Sequence, residues 1–193
     1  MATRRELTKI QNRETILAAA RQVFAQLGFA TATVRDIIRA TPLASGTFYN
    51  YFKSKEEVYQ AIRDEVALKV RPHLARARRQ AVSREEFLAS GFRTFFQFVA
   101  DNRGDSRPVP ERFRMDSTEV LAGFAELRED IVAAMARGLL PETDASALGA
   151  ALTGVAFELA EQVKGGADVE TTTRFATALF LGGIGALPKD QTS

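Results

Sequence analysis

Along the first thirty residues, Ile16, Ala19, Ala20, Val23, Phe24 and Leu27 fall at three- and four-residue steps. That spacing gathers them on one stripe of a helix, which Gly28 ends. The threonine-rich stretch ATATV supplies Thr33 as N-cap for a short second helix over about 34–40. Pro42 precedes a third short helix carrying Leu43, Thr47, Phe48 and Phe52. Ser54, with Glu57 three residues on, has the reciprocal capping pattern that opens a fourth helix, and Pro72 is expected to kink or end it.

Ser83 and Glu86 repeat the capping pattern ahead of an amphipathic helix rich in phenylalanine. The stretch GDSRPVPERFR, with Gly104, Pro108 and Pro110, predicts the main irregular segment. Three helices follow, over about 117–139, 145–163 and 170–187, separated by Pro141 and the Gly165–Gly166 pair. Strand-like alternation, internal repeats and low-complexity tracts are missing. The chain reads as all-α, with a small N-terminal domain over residues 1–54 and a larger helical domain over 55–193.

Composition narrows the chemistry. Cysteine is absent and His73 is the only histidine, which leaves no thiolate nucleophile, no disulfide framework and little basis for a zinc site or a histidine triad. No apolar run approaches the ~18 residues of a membrane span. The opening MATRRELTKI lacks the apolar core of a secretory signal, so the expected location is the cytoplasm. Neither a cofactor nor a metal is expected.

Net charge is only +2, but it is unevenly spread. Residues 1–55 hold nine Lys or Arg against three acids, while the rest of the chain is net acidic. A basic head on an acidic body points to a polyanion partner for the head.

Two short helices separated by about four residues make a helix-turn-helix, whose second helix enters the DNA major groove. Thr47, Tyr49, Asn50 and Tyr51 would then offer hydroxyl or amide groups to base edges and phosphates, and Leu43, Phe48 and Phe52 would hold the helix on its neighbours. Gly46 lets the backbone approach the DNA closely. Lys55, in the first turn of the fourth helix, is placed to meet a phosphate. The competing reading of this segment is an amphipathic helix whose tyrosines merely pack. Arg4, Arg5 and Lys9 in the N-terminal arm could lie along phosphates or in a minor groove, or belong to a frayed terminus.

The segment TATVRDIIRATPLASGTFYNYFKSKEEVYQAI resembles the DNA-binding segment of TetR-type transcriptional regulators. The shared features are a Thr-Val-Arg-Asp-Ile helix, a turn, a Gly-Thr-aromatic-Tyr-x-Tyr-Phe helix and Ser-Lys-Glu-Glu, over about residues 12–62. The resemblance implies phosphate contacts at Thr33 and Lys55 and a base contact from Arg35. It also implies a DNA face made of Ser45, Thr47, Tyr49, Asn50 and Tyr51, with Phe48 and Phe52 structural. Thr41-Pro42-Leu43-Ala44 stands where Ala-Gly-Val-Ser is usual, so Pro42 replaces a turn glycine and Ala44 brings no hydroxyl. The remaining two thirds shares only length and helical layout with that family.

In the larger domain, Ala147, Ala151 and Gly154 on one late helix, and Ala178, Gly182 and Gly183 on the next, permit close helix approach. They suit a four-helix interface between two copies, which the resemblance also implies; ordinary packing within one chain is the other explanation. Phe92, Phe95, Phe96, Phe113 and Phe124 could line an apolar ligand tunnel or simply fill a core. Arg103 and Arg107 in the irregular segment could meet a phosphate-bearing head group, as in an acyl-CoA, or be solvated.

These observations favour a homodimeric repressor that binds double-stranded operator DNA and responds to a small hydrophobic effector such as a fatty acid or acyl-CoA. A helical small-molecule carrier or enzyme with an incidental basic end is the alternative. The acid pairs Glu56–Glu57 and Glu85–Glu86 lie in first helical turns, where the helix dipole already accounts for them. A membrane-surface role is disfavoured because the basic residues do not line one face opposite an apolar stripe.

Overall fold

Helix-end chemistry sets most of the element boundaries in the computed structural model, which describes residues 3–102 and 118–184. Among these residues are eight helices and no strand: α1 (Arg4–Leu27), α2 (Val34–Arg39), α3 (Ser45–Tyr49), α4 (Lys55–Gln80), α5 (Arg84–Asp101), α6 (Thr118–Ala136), α7 (Ala145–Lys164) and α8 (Val169–Ile184). Arg103, Arg107 and Phe113 lie outside the described residues. No described helix is long and apolar enough to cross a membrane.

The expected caps are present. The Ser54 hydroxyl accepts from the Glu57 N–H at 3.2 Å, and the Glu57 carboxylate accepts from the Lys53 N–H at 2.7 Å. Ser83 and Glu86 pair in the same way, with Glu86 reaching the N–H of Val82. Asp168, not singled out from the sequence, opens α8 by accepting from the Thr171 N–H at 2.7 Å. Gly166 adopts φ 108°, a conformation that side chains resist, and so turns the chain between α7 and α8. Two alternatives that the sequence left open are narrowed. Pro72 does not end α4, which stays helical to Gln80. A proline deletes one N–H, a loss a long helix tolerates where the freed carbonyl meets solvent, and Leu68 one turn earlier is exposed. The N-terminal arm is not frayed, because α1 begins at Arg4 behind a capping box formed by Thr3 and Glu6.

The described residues form two compact units, with one border in sequence inside α4, between Val66 and Ala67, and another inside α6, between Val120 and Leu121. In the first unit, Ile16, Ala20, Phe24, Ile37, Phe48 and Phe52 pack with Val58, Ala61 and Ile62 of α4. Sequence reading set the border at 54/55, yet these α4 side chains complete the first core. Glu65 of the same helix is held by Arg13 and Arg21 of α1.

The second unit is built on α5, which packs against α7 and α8. Its core joins Phe87, Leu88, Phe92 and Phe96 to Ile131, Leu148, Leu152 and Val163. Charge fastens α4 to α6: Arg71 pairs with Glu126, and Asp130 accepts from both Arg78 and Arg79 at 2.9 Å. The Arg78 and Asp130 side chains are only 8% and 4% exposed. Burial pulls the Arg78 pKa below its ordinary value, and Asp130 opposes that pull. Arg137 closes the end of α4 by donating to the carbonyls of Arg79 and Ala81.

Removing one member of a buried pair strands the other charge, at a cost of about 3–5 kcal/mol. Asp130→Ala should therefore lower the urea midpoint sharply. The double variant Arg78→Met, Asp130→Leu should recover most of that loss, which a double-mutant cycle measures directly.

Candidate nucleic-acid interface

A five-residue helix cannot persist alone, so α3 depends on what it buries. Phe48 is 1% exposed and Phe52 is 6% exposed, both inside the first core. With Phe48 turned inward, Ser45, Gly46, Tyr49 and Asn50 occupy the outward side at i, i+1, i+4 and i+5. All four are exposed, Tyr49 at 59%, and its ring rests edge-on against Phe48 at 5.4 Å. Thr47 and Tyr51 flank this face and are half-buried; Tyr51 packs partly on the core. A Cβ placed on Gly46 would meet nothing within 4 Å, so the protein leaves space at that position.

The turn ahead of α3 explains the departure at 41–44. No residue there has positive φ. Instead the Thr41 hydroxyl donates to the Ile38 carbonyl at 2.9 Å and accepts from the Leu43 N–H at 3.2 Å. A hydroxyl therefore closes a turn that glycine would otherwise make. Ala44 gives α3 no side-chain cap.

Helix α2 is set by a reciprocal cap. The Asp36 carboxylate accepts from the N–H and hydroxyl of Thr33 at 2.9 and 2.6 Å, while the Thr33 hydroxyl accepts from the Asp36 N–H at 3.2 Å. The hydroxyl and backbone N–H of Thr33 hold the Asp36 carboxyl below its ordinary pKa. Thr33 and Arg35 are both exposed on this short helix.

Lys55, for which the sequence suggests a phosphate contact, meets the loop ahead of α2. Its Nζ donates to the carbonyls of Phe29, Ala30 and Ala32 at 2.8, 3.2 and 2.8 Å, and lies 4.8 Å from the centre of the Phe29 ring. Three donors meet three carbonyls, so the ammonium pins the loop that leads to the Thr33 cap. Gly28, at φ 76°, starts that loop, and the Gly28 carbonyl accepts from the Ala32 N–H at 3.1 Å. The clamp spans residues more than twenty apart, so helical spacing carries no sign of it.

In the second unit, the expected ligand phenylalanines form a chain of rings. Phe92 stacks on Phe96 at 5.8 Å and meets Phe180 at 5.8 Å, while Phe95 and Phe124 each stand edge-on to Phe157 at 5.5 and 6.4 Å. Phe92 and Phe96 are buried, and Phe95 is partly buried against the same core. No described group of three or more His, Asp or Glu side chains could hold a metal ion.

Residues 16–62 match the family described as bacterial regulatory proteins, tetR family. This segment is similar to the DNA-binding part of that family. The match contains α2, α3, the Lys55 clamp and the start of α4. Solved structures extend the likeness to the whole fold. The fatty acid degradation regulator FadR from Bacillus halodurans superposes with TM-score 0.72 at 24% identity, covering 90% of this chain and 96% of that one. FadR from Bacillus subtilis, solved in complex with stearoyl-CoA, gives TM-score 0.72 at 21% identity over 89% and 98% of the two chains. A tetR-family regulatory protein from Rhodococcus RHA1 gives 0.68 at 22%, covering 90% and 96%.

If Lys55 clamps the loop, Lys55→Met should lower stability by about 1–3 kcal/mol. It should weaken binding to all duplexes while leaving the salt slope unchanged. A direct phosphate contact would lower that slope by about 1 per half-site. Thermal melts and binding titrations across ionic strength separate the two.

Proposed function

We propose that this chain is a TetR-type transcriptional regulator, a homodimeric repressor released from its operator by a hydrophobic acyl effector. The observation that carries the reading is the outward face of α3: Ser45, Gly46, Tyr49 and Asn50 stand exposed on a helix whose other side is locked into a core. Arg35, exposed on α2, is assigned to a base edge, and Thr33 to a phosphate beside its capping role. Thr47 and Tyr51 complete the DNA face. The effector site is assigned to Phe92, Phe95, Phe96, Phe113 and Phe124, with Arg103 and Arg107 for an anionic head group.

The dimer is supported by an apolar face on α7 and α8. Phe175 and Leu179 are 60% and 52% exposed, next in sequence to the exposed small residues Ala178, Gly182 and Gly183. Ala147, Ala151 and Gly154 of α7 are exposed as well. A second copy of the chain supplies the partner for such a face, and two-fold symmetry then sets two α3 helices on successive major-groove half-sites. The acyl effector is supported by the phenylalanine-rich interior of the second unit and by the stearoyl-CoA bound to the Bacillus subtilis FadR. Effector binding would favour one spacing of the two recognition helices over another, and so shift operator affinity.

Selection of bound duplexes from random DNA should yield a palindrome with half-sites about one helical turn apart. Arg35→Ala should then relax preference at one symmetric pair of positions, where a good contact discriminates by about 1–3 kcal/mol. Recovery of no preferred sequence would remove the operator reading.

Gly182→Leu tests the dimer separately. A Cβ at Gly182 meets nothing within 4 Å in the protomer, so the variant should fold yet sediment as a monomer with weak operator binding. A wild type that stays monomeric at micromolar concentration with operator present would remove the dimer.

For the effector, long-chain acyl-CoAs and fatty acids should raise the melting temperature and reduce operator affinity. Arg103→Ala or Arg107→Ala should weaken the acyl-CoA more than the free acid. A polar metabolite that does both while acyl compounds do neither would remove the acyl assignment.

A further inference from the structure

Every residue from Thr3 to Gln11 is exposed, and the first buried side chain of α1 is Ile16. At 1.5 Å per residue, about 12 Å of helix carries no core contact at all. Such a projection normally frays, yet this one is capped. The Glu6 carboxylate accepts from the Thr3 N–H at 2.6 Å and from its hydroxyl at 3.0 Å, and the Glu6 N–H donates back to the Thr3 hydroxyl at 3.3 Å. The charges on it are also free. Among the described residues, Arg4, Arg5 and Lys9 have no carboxylate partner, whereas Arg13 and Arg21 further along α1 are both tied to Glu65.

These three cations line an open groove of ≈ 790 Å³ whose other wall is Asn50 and Tyr51, at the end of α3. Thr8 adds a hydroxyl to the lining, and the acid of the groove, Glu6, is engaged by the cap. The groove therefore continues the exposed face of α3 and presents three cations along one edge of it.

We propose that this groove holds the sugar-phosphate backbone of duplex DNA flanking the bases that α3 reads. Arg4, Arg5 and Lys9 neutralise successive phosphates, and Asn50 and Tyr51 border the same strand. The cap keeps α1 helical to Arg4, so the cations meet the backbone already ordered. Phosphate contacts carry no sequence information, so the site adds affinity without altering base preference. The inference rests on operator binding by α3 and adds a second, sequence-independent contact to it.

The test compares wild type, Arg4→Ala/Arg5→Ala/Lys9→Ala and Arg4→Lys/Arg5→Lys on the selected operator, in long duplexes and in duplexes trimmed to the half-sites. In long duplexes the alanine variant should bind about 10-fold or more weakly near physiological salt, with a salt slope lower by about 2–3 per protomer. The lysine variant should keep the wild-type slope, and trimming should erase the difference between wild type and the alanine variant. Circular dichroism and melting should be nearly unchanged, because Thr3 and Glu6 are intact and the replaced side chains are exposed. A wild type that binds its operator alongside an alanine variant of equal affinity and slope would overturn the groove. A change in base preference at the flanks would overturn the phosphate assignment. Failure of the wild type to bind any preferred duplex would instead count against the operator reading on which the groove rests.

Discussion

Burial of Phe48 is the constraint on which the proposed DNA-facing surface depends. Helix α3 has five residues and no side-chain cap, too little for a helix to hold by itself. Removing Phe48 from water, with Phe52 one turn on, fixes the rotation of this helix, and only one rotation puts both rings inside. The outward positions then follow from helical geometry, which is why a glycine, a serine, a tyrosine and an asparagine share one face. The same burial recruits the first turns of α4, whose Val58, Ala61 and Ile62 complete the core. The proposed reading surface is thus the reverse side of a packing decision.

Around that anchor, local hydrogen bonds replace the stiffness that short helices lack. Thr33 and Asp36 start α2, Thr41 closes the turn after it, and Lys55 holds the loop before it by three carbonyls. Each fixes a different side of the same small element, so Arg35 is presented from a framed helix. Carbonyl oxygens at a loop attract a cation for the reason a helix C-terminus does, since several partial negative charges converge there. The aromatic face of Phe29 adds to that attraction.

Positive charge in this chain has two separate uses. Arg13 and Arg21 brace α1 to Glu65, and Arg71, Arg78 and Arg79 fasten α4 to α6. These guanidinium groups are structural, although they count towards basicity in the sequence. Among the described residues, Arg4, Arg5, Lys9, Arg35, Arg39 and Lys53 of the first 55 are exposed without an ion pair and are left available to a polyanion. A basic excess in the first 55 residues therefore overstates how much of that charge faces outward.

Helical periodicity and capping residues determined the eight elements and most of their limits, because those signals act over three or four residues. The exposed face of α3 was also legible, since aromatic and polar residues alternate there at helical spacing, and the order of motifs through residues 12–62 carried the resemblance to TetR-type regulators. Short-range signals could not reveal that α4 runs through Pro72, because a proline's effect depends on whether the freed carbonyl finds a partner. Nor could they show that Lys55 turns inward to carbonyls 23 to 26 residues away, or which arginines are paired. Those outcomes belong to the tertiary structure alone: a long flexible cation settles wherever the folded chain gathers the most negative potential, and folding decides where that is.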